Sequence, residues 1–299
     1  MMKSQNCLYF LLTLAISFAC GKTNMGELKF DVQGHRGTRG LMPENTIPAF
    51  LKAIDLDVNT LEMDLAVTKN RELLISHEPF INPEYCLDKS GQVIPDSLMY
   101  AFNIYQMEHA EIKKFDCGSK PHPRFPEQQK MSAYKPLLSE VLSTVESYAK
   151  EKKLEPLRYN IEIKSMPQGD DLFHPQPDVF SDLVFASLNS KIDWSRITIQ
   201  SFDFRILQYF HKTYPEVTLA VLIENDLTIS RNLDSLGFVP QIYSCDFVLL
   251  SRANVNELHA LGMKVIPWTV NEIADMNRLI DWNVDGLITD YPDRYNQIK

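Results

Sequence analysis

Glu62 and Asp64 stand two residues apart in a run, 60–67, whose other members are apolar except Thr60. In an extended chain that spacing puts both carboxylates on one face. Glu162 and Lys164 repeat the pattern in 159–164, His35 and Arg36 follow the run 29–34, and His77 follows the run 72–76. Any one of these residues alone reads as an ordinary satisfied polar group. Carboxylates repeated inside apolar strands are different, because unpaired charge is costly to bury. Three carboxylates brought together suit a hard divalent cation with oxygen ligands, Mg²⁺ or Ca²⁺.

Such residues must be held by a frame, and the rest of the pattern supplies one. Extended runs at 29–34, 60–67, 72–76, 159–164, 197–202, 217–223, 247–250, 264–270 and 286–289 alternate with helical spacing at 47–54, 136–150, 179–188, 204–213, 255–261 and 273–281. Repeated strand-then-helix units imply parallel strands joined by right-handed crossovers. About eight main strands fit a closed TIM (β/α)8 barrel of α/β class. A doubly wound open sheet is the weaker reading, since no Gly-rich loop follows the first strand. In a barrel, same-face residues near strand C-termini point into the mouth, so His35, Arg36, Glu62, Asp64, His77, Glu162 and Lys164 should converge there. Residues 79–134 break the rhythm with Pro79, Pro83, Pro95, Pro121, Pro123 and Pro126, and only 99–114 has helical character. So long a βα connection is expected to be an inserted cap region after the second strand, lying over the mouth.

Taken in order, His35-Arg36-Gly37, Pro43-Glu44-Asn45-Thr46, Glu62-x-Asp64 and His77 resemble the signature of the glycerophosphodiester phosphodiesterase family. The resemblance continues through Pro136-Leu137-Leu138-Ser139-Glu140-Val141, Asn160-Ile161-Glu162-Ile163-Lys164 and Gln200-Ser201-Phe202-Asp203. It ends with Trp268-Thr269-Val270-Asn271 and Asp285-Gly286-Leu287-Ile288-Thr289-Asp290-Tyr291-Pro292. It implies metal-dependent hydrolysis of glycerophosphodiesters, which are deacylated phospholipids, to glycerol 3-phosphate and an alcohol. By that resemblance Glu62, Asp64 and Glu162 are metal ligands, and His35 and His77 the acid/base pair. Arg36 and Lys164 become phosphate-side cations, and Trp268 an aromatic wall beside the glycerol. Two imidazoles suit the reaction, in which an attacking hydroxyl loses a proton and a leaving alkoxide gains one. Glu44 and Asn45 keep two readings: Glu44 reaching the site or not, Asn45-Thr46 serving the site or capping the next helix. Two departures from the pattern are Glu78, where Asp is common, and Asn70-Arg71, where the family usually has Asp-Gly.

A formal net charge of -9 argues against nonspecific nucleic-acid binding, which needs a basic surface. The positive charge that a phosphate ester requires must then be local, from a metal or a few basic side chains. Residues 1–20 read as a signal peptide: Lys3 near the start, an apolar stretch too short to span a bilayer, then Ser17-Phe18-Ala19-Cys20-Gly21. That junction resembles a bacterial lipobox with Cys20 lipidated, although Phe18 is bulky for its position. Plain signal-peptidase cleavage and an uncleaved anchor are the alternatives. The expectation is an exported lipoprotein of periplasm or outer membrane, membrane-associated through its N-terminal lipid, with a linker at 21–28 and one catalytic domain at 29–299. In an oxidising compartment Cys86 and Cys117 could pair or could stay free, and Cys245 reads as a core thiol. Other functions weighed are a phospholipase-like enzyme acting on intact lipids and a lipoprotein that binds head groups without cleaving them. A glycosidase fits poorly, because it needs two facing carboxyls rather than a same-face pair.

Overall fold

The computed structural model describes residues 30–298, so the expected signal peptide and the expected linker at 21–28 lie outside the described residues. The strands are β1 (Asp31–Gly34), β2 (Thr60–Val67), β3 (Leu73–Ile75), β4 (Arg158–Ile163), β5 (Ile197–Ser201), β6 (Thr218–Ile223), β7 (Ile242–Cys245), β8 (Lys264–Val265) and β9 (Gly286–Thr289). The helices are α1 (Ile47–Asp55), α2 (His109–Ile112), α3 (Leu138–Glu151), α4 (Pro177–Leu188), α5 (Phe204–Thr213), α6 (Ile229–Leu236), α7 (Arg252–Ala260), α8 (Ile273–Asp281) and α9 (Pro292–Tyr295). Apart from β3, which pairs antiparallel with β2, every ladder is parallel, in the order β8-β7-β6-β5-β4-β2-β1-β9. The ends meet: the Asp285 N–H donates to the Val265 carbonyl and the Val270 N–H to the Ile288 carbonyl, both at 2.9 Å. This is a TIM barrel. Among the described residues no helix is long and apolar enough to cross a membrane.

Alternation along β2 shows how the sequence sorts its faces. Leu61, Met63 and Leu65 are buried in the layer between barrel and helices, with Phe50, Ile161, Ile163 and Phe180. Glu62 and Asp64 take the opposite face, toward the barrel interior, as a period of two demands. The parallel register sets Asp64 beside Glu162 and Glu162 beside Gln200. Beneath them an amide ladder fills the barrel. Asn160 Nδ2 donates to Gln33 Oε1 (2.7 Å) and Gln200 Oε1 (3.0 Å), which satisfies groups that would otherwise be buried at a cost.

The connection between β3 and α3 forms an inserted unit of short turns with its own apolar core. Ile81, Tyr85, Ile94, Ile104, Ile112 and Phe115 pack there with Ala66 and Leu74 of the barrel strands. A Cys86–Cys117 disulfide closes it, and Cys245 is buried and free. The unit leans on the β1–α1 loop, where Gln128 Nε2 donates to the Arg39 carbonyl (2.7 Å) and the Gln129 N–H to that of Leu41 (2.8 Å). It also reaches the β4–α4 loop, with Asn103 Nδ2 donating to the Leu172 carbonyl at 2.8 Å.

Several elements differ from expectation, among them the run 264–270, which is a strand only over Lys264–Val265. The apolar run 247–250 is not a strand, because Asp246 caps it, accepting from the Val248 N–H at 3.1 Å, and winds Phe247–Leu249 into a 3-10 turn. The strand lies earlier, at β7. Helix α6 is an additional element: Thr228 caps its start and Gly237, at φ 82, ends it in the left-handed conformation. The helical character at 99–114 resolves into one 3-10 turn, Ile104–Gln106, and the single turn α2.

Candidate active site

The turn after β1 starts the site. The His35 N–H extends the sheet by donating to the Thr289 carbonyl at 2.9 Å, and the chain then reverses through Arg36 at φ 49 and Gly37 at φ 83. Only glycine fits position 37, since a Cβ there would lie 2.6 Å from the Ala49 carbonyl carbon. The left-handed Arg36 aims its N–H at Glu62 Oε2 (2.8 Å) and its guanidinium at Glu44 Oε1 (2.8 Å) and Asp64 Oδ2 (3.2 Å). The open readings of the next segment divide between its residues. Thr46 caps α1 by accepting from the Ala49 N–H, whereas Asn45 Nδ2 donates to Asp64 Oδ2 at 2.7 Å.

Glu62, Asp64 and Glu162 are all buried, and each offers an oxygen within 4.8 Å of the others'. Burial first, and then the Asp64 charge, drive Glu62 well above its ordinary range. Burial likewise raises Glu162, with Asp64 adding to it and Lys164 opposing. Burial would also raise Asp64, but the charges of Arg36, His77 and Lys164 hold it well below the usual carboxylate range. Three carboxylates so close do not all ionise without more positive charge than the protein supplies. Glu62 Oε1 accepts from Gln200 Nε2 (2.9 Å) and Glu162 Oε1 from Lys164 Nζ (2.6 Å), while Asp64 Oδ1 is buried without a hydrogen-bond partner among the described residues. Hard oxygen donors with one buried oxygen left over fit a divalent cation.

The imidazoles are held differently. His35 Nδ1 lies 2.8 Å from Asp290 Oδ1, and Arg39 grips both oxygens of that carboxylate (2.8 and 3.0 Å). Burial, then the Arg39 charge, lower His35 to about 4, with Asp290 opposing. The ring is therefore neutral at pH 7. With Nδ1 donating to the carboxylate, Nε2 keeps a lone pair. His77 Nδ1 lies 3.0 Å from Glu78 Oε1. Burial works against the charge of Glu78, yet the His77 bond and the charges of His77, Lys135 and Arg36 hold its carboxyl below the usual range.

A cavity of about 670 Å³ gathers His35, Arg36, Glu62, His77, Glu162, Lys164 and Trp268 at the C-terminal ends of the strands. Asp64 joins them through the carboxylate cluster. Pro79 and Phe80, at the start of the insertion, line one side. Trp268 Nε1 donates to the Ser244 carbonyl (3.0 Å), and its ring meets Phe202 edge-on at 5.4 Å between centroids. Arg39, Gln200 and Asp290 are neighbours of these side chains that sequence reasoning did not single out. Gln200 and Asp290 fall inside the motifs quoted above, yet the partners Glu62 and His35 lie 138 and 255 residues away in the chain.

Residues 35–294 match the model of the glycerophosphoryl diester phosphodiesterase family. A glycerophosphodiester phosphodiesterase of Bacillus subtilis (strain 168) is 29% identical over 283 residues, covering 89% of this chain and 85% of the relative. A structure from Silicibacter pomeroyi DSS-3 bearing the family's name is 27% identical, with a TM-score of 0.79 over 90% of this chain and 92% of that one. An Oleispira antarctica phosphodiesterase solved with sn-glycerol-3-phosphate shares the fold at a TM-score of 0.70 and 18% identity, over 89% and 95% of the two chains. With a matching model over most of its length and the expected residues gathered in one cavity, the chain belongs to the glycerophosphoryl diester phosphodiesterase family.

Proposed function

We propose that this enzyme hydrolyses glycerophosphodiesters to glycerol 3-phosphate and an alcohol, with a divalent cation held by Glu62, Asp64 and Glu162. The observation that carries the reading is the buried carboxylate cluster beside two differently held imidazoles on one cavity. A bound cation would offset the diester's negative charge and stabilise charge developing on the phosphoryl oxygens. Neutral His35 acts as the base: its Nε2 takes the proton of the attacking hydroxyl while Asp290 holds Nδ1–H. His77, held at Nδ1 by Glu78, acts as the acid and gives an Nε2 proton to the alkoxide as the P–O bond breaks. Lys164 adds a cation at the cluster, and Arg36, engaged by Glu44 and Asp64, chiefly keeps the cluster in place. Trp268 and Phe202 form an apolar wall that orients the substrate and excludes water.

The test is hydrolysis of glycerophosphocholine by purified protein. EDTA should abolish turnover and Mg²⁺ or Ca²⁺ should restore it. His35→Ala and His77→Ala should each lose on the order of 10²–10⁴ in rate while still binding substrate in calorimetry. Full activity in metal-free protein would remove the cation from the mechanism. Wild type that binds without turnover would make this a binding protein.

A further inference from the structure

Glu78 has two oxygens, and His77 accounts for one of them. The other, Oε2, lies 2.6 Å from the hydroxyl of Tyr85, a buried residue of the inserted unit. Behind Tyr85 sits Lys135, also buried, with Nζ 3.2 Å from the same hydroxyl. An ammonium only donates, so it takes the tyrosine oxygen's lone pair, and the hydroxyl proton is directed to Glu78. The donors therefore run one way: Lys135 to Tyr85, Tyr85 to Glu78, and His77 Nδ1–H to Glu78 from the other side. The ring has little freedom. It stacks on His122 (5.5 Å, 10° between planes), the Lys135 ammonium lies 5.1 Å from its centroid, and the next residue is the disulfide-bonded Cys86.

We propose that Tyr85 is a positioning residue for the general acid: by fixing the second oxygen of Glu78 it holds His77 Nε2 within reach of the leaving oxygen. Glu78 carries one methylene more than the Asp common at this place, and the extra length lets one carboxylate span both partners. Without the hydroxyl, Glu78 keeps His77 but can swing about its own side-chain torsions, and the ring swings with it. The inference rests on His77 being the acid. Its competitor is a plain structural role, in which the Tyr85–Glu78 bond only fastens the insertion.

The leaving group separates the two. Choline leaves as a strongly basic alkoxide that needs a proton, whereas p-nitrophenolate leaves without one. Tyr85→Phe in the whole protein should lower kcat for glycerophosphocholine about tenfold, as expected for losing one hydrogen bond to a charged group, with little change in KM. On the p-nitrophenyl diester of glycerol phosphate the same variant should stay within about twofold of wild type, because acid assistance contributes little there. His77→Ala is the reference and should show the same selectivity with a larger loss. If His77→Ala is selective and Tyr85→Phe slows both substrates equally or neither, Tyr85 only fastens the insertion and the proposal falls, while His77 remains the acid. If His77→Ala is not selective, the acid assignment fails and takes this proposal with it. Should Tyr85→Phe not fold, Glu78→Asp leaves the tyrosine packing intact and is too short to hold both partners. The same selective loss would support the relay, and a uniform loss or none would overturn it.

Discussion

Asp290 accepts from His35, Arg39 and Asn271 together, and that crowding decides the state of the imidazole proposed as the base. A carboxylate facing a histidine alone favours the imidazolium, but here Arg39 takes both carboxylate oxygens and burial dominates, so His35 falls to about 4. A base must be unprotonated to act, so the acid limb of kcat/KM should lie well below the ordinary value of 6.5. Arg39→Gln leaves the charge of Asp290 to His35 and removes a cation that disfavours protonation. Its limb should move toward neutral pH in a rate profile, and an unmoved limb would mean that Arg39 does not tune the base. Linkage has the same sign: His35 is harder to protonate folded than unfolded, so it contributes stability above pH 6.5 that is lost as pH falls toward 4. The carboxylate cluster makes a second residue-scale prediction, read by thermal melting rather than activity. Mg²⁺ or Ca²⁺ at about 100 times its dissociation constant should stabilise the wild type by about 2.7 kcal/mol. Glu62→Gln should lose most of that rise while melting no lower without metal, since burial and the Asp64 charge already disfavour the ionised form of Glu62 there. A cation-induced rise that survives Glu62→Gln would place the metal elsewhere.

At the scale of elements, the inserted unit is more than a cover. Its core takes in Ala66 of β2 and Leu74 of β3, so excising it would expose barrel strands as well as open the mouth. The Cys86–Cys117 bond closes a loop of 31 residues in that unit. Cys86→Ser with Cys117→Ser should therefore cost about 2–4 kcal/mol in chemical denaturation. It should also lower kcat for glycerophosphocholine, because Tyr85 loses its neighbour's restraint. Unchanged stability in the double variant would mean that the bond adds nothing to the unit. What the chain reveals of these elements depends on how local their causes are. β2 and β4 are legible because apolar and charged residues alternate at Glu62, Asp64 and Glu162, and a period of two belongs to a strand alone. β7 is not, because its Tyr243 and Ser244 dilute the apolar signal while Phe247, Val248 and Leu249 mimic a strand that the Asp246 side chain curls into a turn. The site divides in the same way. Its charged residues stand out against apolar neighbours, but Gln200 and Asp290 are identified only by partners the fold brings from afar.

At the scale of the whole molecule, one chain end bears on where the enzyme works. We infer that Cys20 is lipidated, so Cys20→Ser should shift the protein from the membrane fraction to soluble or unprocessed material. An unchanged distribution would leave a plain signal peptide or an anchor. β1 begins at Asp31, at the end of the strands opposite the cavity, and the site opens where His35 leaves that strand. A dissolved, deacylated substrate would reach that site by collision from solution rather than by lateral search within the bilayer. Turnover of a dissolved glycerophosphodiester should not respond to surface dilution, remaining constant as the anchored enzyme is spread over more and more vesicles.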